Sequence, residues 1–135
     1  MPKERINPPG LPNWADSFSQ VVVAHTGTTR TIYISGQVSV DEQNHVVGAG
    51  DLAAQCEQVL ANLDRALRAA GATPSDVVRL GIYLVSYQRN HAGLIRRALR
   101  KWFPADALPA STWLGVSSLA LDGLMIEIEA TAIVE

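Results

Sequence analysis

Residues 123–135 read GLMIEIEATAIVE, and the spacing within them predicts how the whole chain is layered. Taken as a strand of period two, Leu124, Ile126, Ile128, Ala130 and Ala132 face one way, while Met125, Glu127, Glu129, Thr131 and Ile133 face the other. The first set is apolar throughout and needs a cover. The second places two carboxylates among apolar neighbours.

The cover lies upstream. In GDLAAQCEQVLANLDRALRAAG, residues 50–71, Leu52, Cys56, Val59, Leu60, Leu63 and Leu67 form one helical stripe, with Asp51 as N-cap and Gly71 just past the C-terminal end. A second helix is expected in NHAGLIRRALRKWF, residues 90–103, capped by Asn90 and turning Leu94, Ile95, Ala98, Leu99 and Trp102 inward. Between the helices, VVRLGIYLVSY (77–87) reads as a strand apolar on both faces: Val78, Leu80, Ile82 and Leu84 on one, and Val77, Tyr83, Val85 and Tyr87 beside Arg79 on the other. Toward the start, Gln20–His25 and Arg30–Ser35 flank the turn TGTT as a hairpin. Gly36 follows directly, where a glycine suggests a bulge or a close approach by a backbone or ligand. LPASTWLGVSSLAL, residues 108–121, carries no ionisable side chain and alternates like a strand, with Pro109 marking an edge. Residues 1–18 hold four of the seven prolines and read as an irregular lead-in.

The order is β-β-α-β-α-β-β, an α+β layout with one mixed sheet and both helices on one face. Two helices cover one sheet face only. The other face is apolar in two strands, and a second copy of the chain is its expected cover.

Composition bounds the function. At 135 residues one domain, 1–135, is expected, with 47% hydrophobic and 18% charged residues marking a folded chain. A net charge of −2 excludes a polyanion binder acting through bulk charge. The single cysteine, Cys56, cannot form an internal disulfide and fits a reducing compartment. The opening MPKERINPPG has no apolar core of a secretory signal, and no apolar run reaches the roughly 20 residues a bilayer requires. A cytoplasmic location without membrane partners is expected.

Few constellations carry chemistry. His25, His45 and His91 are scattered without metal-ligand spacing, so no metal site is expected. Cys56 falls on the apolar helix stripe and reads as an inert buried thiol. No glycine loop matches a nucleotide fingerprint. Arg96, Arg97, Arg100 and Lys101 form a basic cluster read as a solvated helix face; without interleaved aromatic residues, nucleic acid is not the expected partner. Glu127 and Glu129 remain. A carboxylate half-buried beside apolar neighbours needs a partner or water, and its pKa rises toward a useful range.

Several segments in fixed order resemble the YjgF/RidA family across nearly the whole chain: FSQVVV, ISGQV at 34–38, AAQCEQVLANLDRALRAAG, VVRLGIYLV, LPAS at 108–111 and GLMIEIEATAIVE. The resemblance implies a chorismate-mutase-like fold of the bacillus type, a homotrimer with a central barrel, and small-molecule clefts between subunits. It implies imine or enamine hydrolysis without metal or cofactor. The family's water-positioning glutamate maps onto Glu127, its backbone-contact glycine onto Gly36, and its cleft tyrosine onto Phe18, which lacks the hydroxyl. Its carboxylate-gripping arginine maps onto Ser111. Trp113, two residues on, adds bulk to the cleft, and Arg79 on the neighbouring strand is the candidate to restore the missing charge. Two readings follow: a cofactor-independent deaminase-like hydrolase with Glu127 as general base, or a trimer that binds or senses a small molecule without turnover. An RNA-directed role rests on the basic helix face alone.

Overall fold

The computed structural model describes residues 2–135. Six strands form one sheet in the order β1-β2-β3-β6-β4-β5. They are β1 (Lys3–Ile6), β2 (Val21–Thr26), β3 (Thr29–Val38), β4 (Val77–Val85), β5 (Ala110–Val116) and β6 (Ile126–Val134). Helices α1 (Leu52–Ala69) and α2 (His91–Trp102) lie between β3 and β4 and between β4 and β5. All pairings are antiparallel except β4 with β5, so the sheet is mixed and the fold is α+β.

β6 is central, and its two faces separate as the alternation predicts. Ile126, Ile128, Ala130 and Ala132 are buried, whereas Glu127, Glu129, Thr131 and Ile133 are partly or fully exposed. The buried set packs with Leu80, Ile82 and Leu84 of β4 and with Val59, Leu60, Leu63 and Leu67 of α1 in a single core. The Asp51 side chain accepts from the Ala54 amide at 3.1 Å, capping α1, and Gly71 takes φ +75° just past its end.

Four local expectations are corrected. Lys3–Ile6 is a strand, although the surrounding residues read as an irregular lead-in; it pairs with β2 as a short charged edge. β3 runs on to Val38 through a register shift between Ile34 and Gln37, the irregularity that Gly36 suggested. A second shift, between Val77 and Arg79, puts Val77 in the core and leaves Val78 44% exposed, reversing their expected faces. Asn90 precedes α2 but makes no side-chain cap; His91 Nδ1 instead accepts from the Gln88 amide at 3.1 Å.

The sheet face away from the helices has no cover among the described residues. Tyr33 is 53% exposed, Leu114 50% and Ile133 40%. β5 is the outer strand on that side of the sheet and is exposed along most of its length. No helix among the described residues is long and apolar enough to cross a membrane.

Candidate functional site

The β3 bulge brings two residues far apart in sequence into contact. Val38 pairs with Glu127, so the chain just before Val38 passes the Glu127 side chain. A Cβ built on Gly36 would overlap Glu127 Oε2, and its Cδ would stand only 2.6 Å away. Only a bare backbone leaves room for the carboxylate here.

Around this pair lies a cleft of about 520 Å³, within the usual range for small-molecule sites, roughly 300–1,000 Å³. Phe18, Trp14 and Leu121 give it apolar walls, and Glu127 is the one ionisable side chain among its described lining residues. Trp14 and Phe18 stack with ring centroids 6.0 Å apart, which turns the proline-rich start of the chain into one wall. Behind the bulge, Gln37 Nε2 donates to Gln20 Oε1 at 2.8 Å, and Gln20 Nε2 donates to the Pro12 carbonyl at 3.0 Å. These buried amides tie the N-terminal segment to β3.

The opposite wall is set from α1. Gln55 is fully buried. Its Nε2 donates to the carbonyls of Gly48 (3.1 Å) and Gly123 (2.8 Å), and its Oε1 accepts from the Met125 amide at 2.8 Å. One side chain thus fixes the chain on its way into β6, two residues before Glu127.

Glu127 is half-buried, and loss of hydration pushes its carboxyl above the usual range, with Glu129 adding like-charge repulsion. Glu129 lies over Gly81 much as Glu127 lies over Gly36; a Cβ there would come within 2.7 Å of Glu129 Oε1. Tyr83 donates its hydroxyl to Glu129, and that hydrogen bond, ahead of burial, pushes the phenol pKa up.

Of the sequence-predicted site residues, Phe18, Gly36 and Glu127 line this cleft; Ser111, Trp113 and Arg79 do not. Ser111 pairs with Leu80, a core residue, and so belongs to the helical side of the sheet; Glu127 pairs with Tyr83 on the other side. Trp113 Nε1 donates to Ser111 Oγ at 3.1 Å. Arg79 pairs with Ala110 and donates to Thr112 Oγ1 at 3.1 Å, so it is on the face opposite Ser111. Strand alternation sends Arg79 to the uncovered face, the side of the sheet that Glu127 also occupies, where it lines a small hollow with Glu129 and Tyr33.

Trp14, Gln20, Gln37 and Gln55 were not singled out by sequence reasoning. A signal existed for two of them. Trp14 stands four residues before Phe18, and Gln55 falls three residues after Leu52, on the apolar stripe of α1.

The other constellations remain separate. Cys56 is buried, and burial, followed by the charge of Glu57, pushes its thiol up to about 11. His25 Nε2 meets Glu4 Oε1 at 2.7 Å, His45 lies 3.5 Å from Asp41, and His91 serves the start of α2.

Comparison with known proteins places this architecture. The family described as Endoribonuclease L-PSP matches residues 11–134. A 2-iminobutanoate/2-iminopropanoate deaminase of Rattus norvegicus is 33% identical over 117 residues, 87% of this chain and 80% of that protein. A deaminase of the same description from Dermatophagoides farinae is 27% identical over 134 residues, covering 99% of this chain and 98% of its own. Among solved structures, the Rid-family protein YyfB of Yersinia pestis, of unknown function, is 40% identical, with TM-score 0.75 over 99% of this chain and 100% of its own.

Proposed function

The chain belongs to the YjgF/RidA family, the one described as Endoribonuclease L-PSP, and from that premise we propose that it is a small-metabolite protein whose Glu127–Gly36 cleft hydrolyses an imine or enamine without a cofactor. The observation that carries this reading is the half-buried Glu127 carboxylate seated against the bare backbone of Gly36 in a cleft of metabolite size. Relatives that share the family are described as 2-iminobutanoate/2-iminopropanoate deaminases, which supports the reaction class.

In this reaction the Glu127 carboxylate takes a proton from water as the water oxygen adds to the imine carbon. The proton passes to nitrogen, and the carbinolamine collapses to a carbonyl compound and ammonia. The raised proton affinity of Glu127 makes it a stronger base than an exposed carboxylate. Backbone at Gly36 offers contacts to the charge that develops.

The active assembly we propose is a homotrimer with the clefts between subunits. Ser111 and Trp113 lie on the outer strand and on the opposite face from Glu127, so within one chain they stand apart from it. A neighbouring copy that meets the outer strand β5 along its free edge would bring them toward its cleft. The buried lone thiol suits a cytoplasmic setting.

A second reading, a trimer that binds without turnover, is favoured by one observation. The described lining of the cleft offers no cation to hold a substrate carboxylate, in keeping with the resemblance, which sets Ser111 where the family carries an arginine.

One assay separates the two readings: disappearance of 2-iminopropanoate generated in the cuvette, with the parent chain beside Glu127→Gln and Ser111→Arg. Turnover by the parent that falls at least a hundredfold in Glu127→Gln, with assembly unchanged, supports the hydrolase. Turnover by Ser111→Arg alone supports a hydrolase scaffold tuned to a substrate without a carboxylate. Silence in all three overturns the hydrolase and leaves the binding protein.

A further inference from the structure

Glu127 and Glu129 stand two residues apart on the uncovered face of β6, and the strand beside them is built around the second. In the register of β4 against β6, Tyr83 lies opposite Glu127 and Gly81 opposite Glu129. Tyr83 does not serve the carboxylate it faces. Its hydroxyl donates diagonally to Glu129, a reach that an aromatic side chain makes to the residue two positions along a neighbouring strand. Gly81 has no side chain, which lets the Glu129 carboxylate lie across β4 within reach of that hydroxyl. Two positions of β4 are thus given over to holding one exposed carboxylate in place.

Like charges this close ordinarily call for a cation. The titratable and charged groups that face the pair are few: Arg79 and Tyr83 on β4, Tyr33 on β3 and none on β5. The described cleft lining beside Glu127 adds no other ionisable side chain. Arg79 donates to Thr112 of β5, and among the described residues neither it nor either glutamate belongs to an ion pair. Glu129 therefore has a neutral donor in place of a cation, and the difference is chemical. A guanidinium beside Glu129 would cancel its field at Glu127 and favour loss of the Glu127 proton. A phenol hydroxyl stabilises Glu129 as an anion and adds no charge of its own.

We propose that Glu129 and Tyr83 are positioning residues for Glu127: the Tyr83 hydroxyl fixes Glu129 as an anion over Gly81, and that fixed negative charge makes Glu127 a stronger proton acceptor in the cleft. The inference rests on Glu127 being the base of the proposed hydrolysis. Burial raises the Glu127 pKa first and Glu129 second, which agrees in sign.

The test reads Glu127 itself. In the full-length protein, isotopically labelled in its glutamates, the side-chain carboxyl resonance that is lost in Glu127→Gln is followed through a pH titration. Assembly and melting temperature are measured alongside. Glu129→Gln should move the Glu127 midpoint to lower pH, only part of the way to that of an exposed glutamate, because burial remains. Tyr83→Phe should move it in the same direction and less far. In a Glu129→Gln background Tyr83→Phe should add nothing, since the hydroxyl acts through Glu129. Glu129→Asp keeps the charge and should recover most of the parent midpoint. Both side chains lie outside the buried core, so these variants should fold normally. A midpoint unchanged in Glu129→Gln, or an equal effect of Tyr83→Phe with and without Glu129, would overturn the proposal. Where an imine is turned over, the acid limb of the pH–rate profile should follow the same order of variants, which a merely structural loss would not produce. Ordered midpoints without turnover would sink the hydrolase alone, and turnover with unmoved midpoints would sink this pair alone.

Discussion

Glu127 holds its charge under protest. Its carboxyl pKa is raised in the folded chain, by burial first and by Glu129 second. A raised folded pKa means that the native state prefers the protonated form. The stability tied to this group is therefore complete below the unfolded pKa and is lost as pH climbs through the folded one. Glu127→Gln, which mimics the neutral form, should raise the melting temperature at pH 7, and the gain should vanish as the pH falls below the usual carboxylate range. Thermal melts of both proteins across that window check the sign. Turnover should run the other way, with an acid limb displaced above the usual carboxylate range, because the base must be ionised. Gly36→Ala should cost at least tenfold in turnover or ligand affinity with little change in melting temperature. The new methyl would meet the end of a flexible side chain and push the carboxylate out of place without touching the core.

At the level of elements, the decisive link is the grip of α1 on the entrance to β6. Gln55→Leu fills the same space but leaves the Gly123 carbonyl and the Met125 amide without their partner. The expected cost is about 1–3 kcal/mol per buried group left unsatisfied, read as a lower urea midpoint, with turnover falling further than stability alone explains because Glu127 is two residues from Met125. This contact also marks how far the sequence can be read. The stripe of α1 and the alternation of β6 were legible because each repeats over many residues, and their burial is what such repetition selects. β1 was not: Lys3, Glu4 and Arg5 are all exposed, as suits a sheet edge, and they offer no apolar alternation to recognise. The faces of Val77 and Val78 were misjudged because a bulge inverts the parity of a strand, and no residue type announces it. Glu127, Gly36 and Phe18 could be nominated from sequence. Their meeting depends on the register between β3 and β6, which local pattern does not encode. For Ser111 and Arg79 the parity of neighbouring strands decided, and it separated them.

For the whole molecule, the open sheet face governs behaviour in solution. Tyr33, Leu114 and Ile133 leave a large apolar area uncovered beside Glu129, Tyr83 and Arg79. The proposed trimer should show three times the mass of one chain by light scattering. Leu114→Glu, which sets a charge on that face without disturbing the buried core, should shift the population toward single chains and weaken any activity that depends on subunits meeting. An unchanged trimer in that variant would place the contact elsewhere.

The two rims of the sheet are built to different standards. β1 is four residues long and carries three charged side chains, a poor template for a stray strand. β5 runs Ala110–Val116 with no charge at all, and one side of its backbone has no partner strand among the described residues. Short uncharged segments of this kind are the seeds from which cross-β fibres grow. If the proposed trimer is what covers β5, each newly made chain runs a race between assembly and templating a fibril, and dilution, which slows the first, should leave a dye-binding, sedimentable residue of unassembled protein.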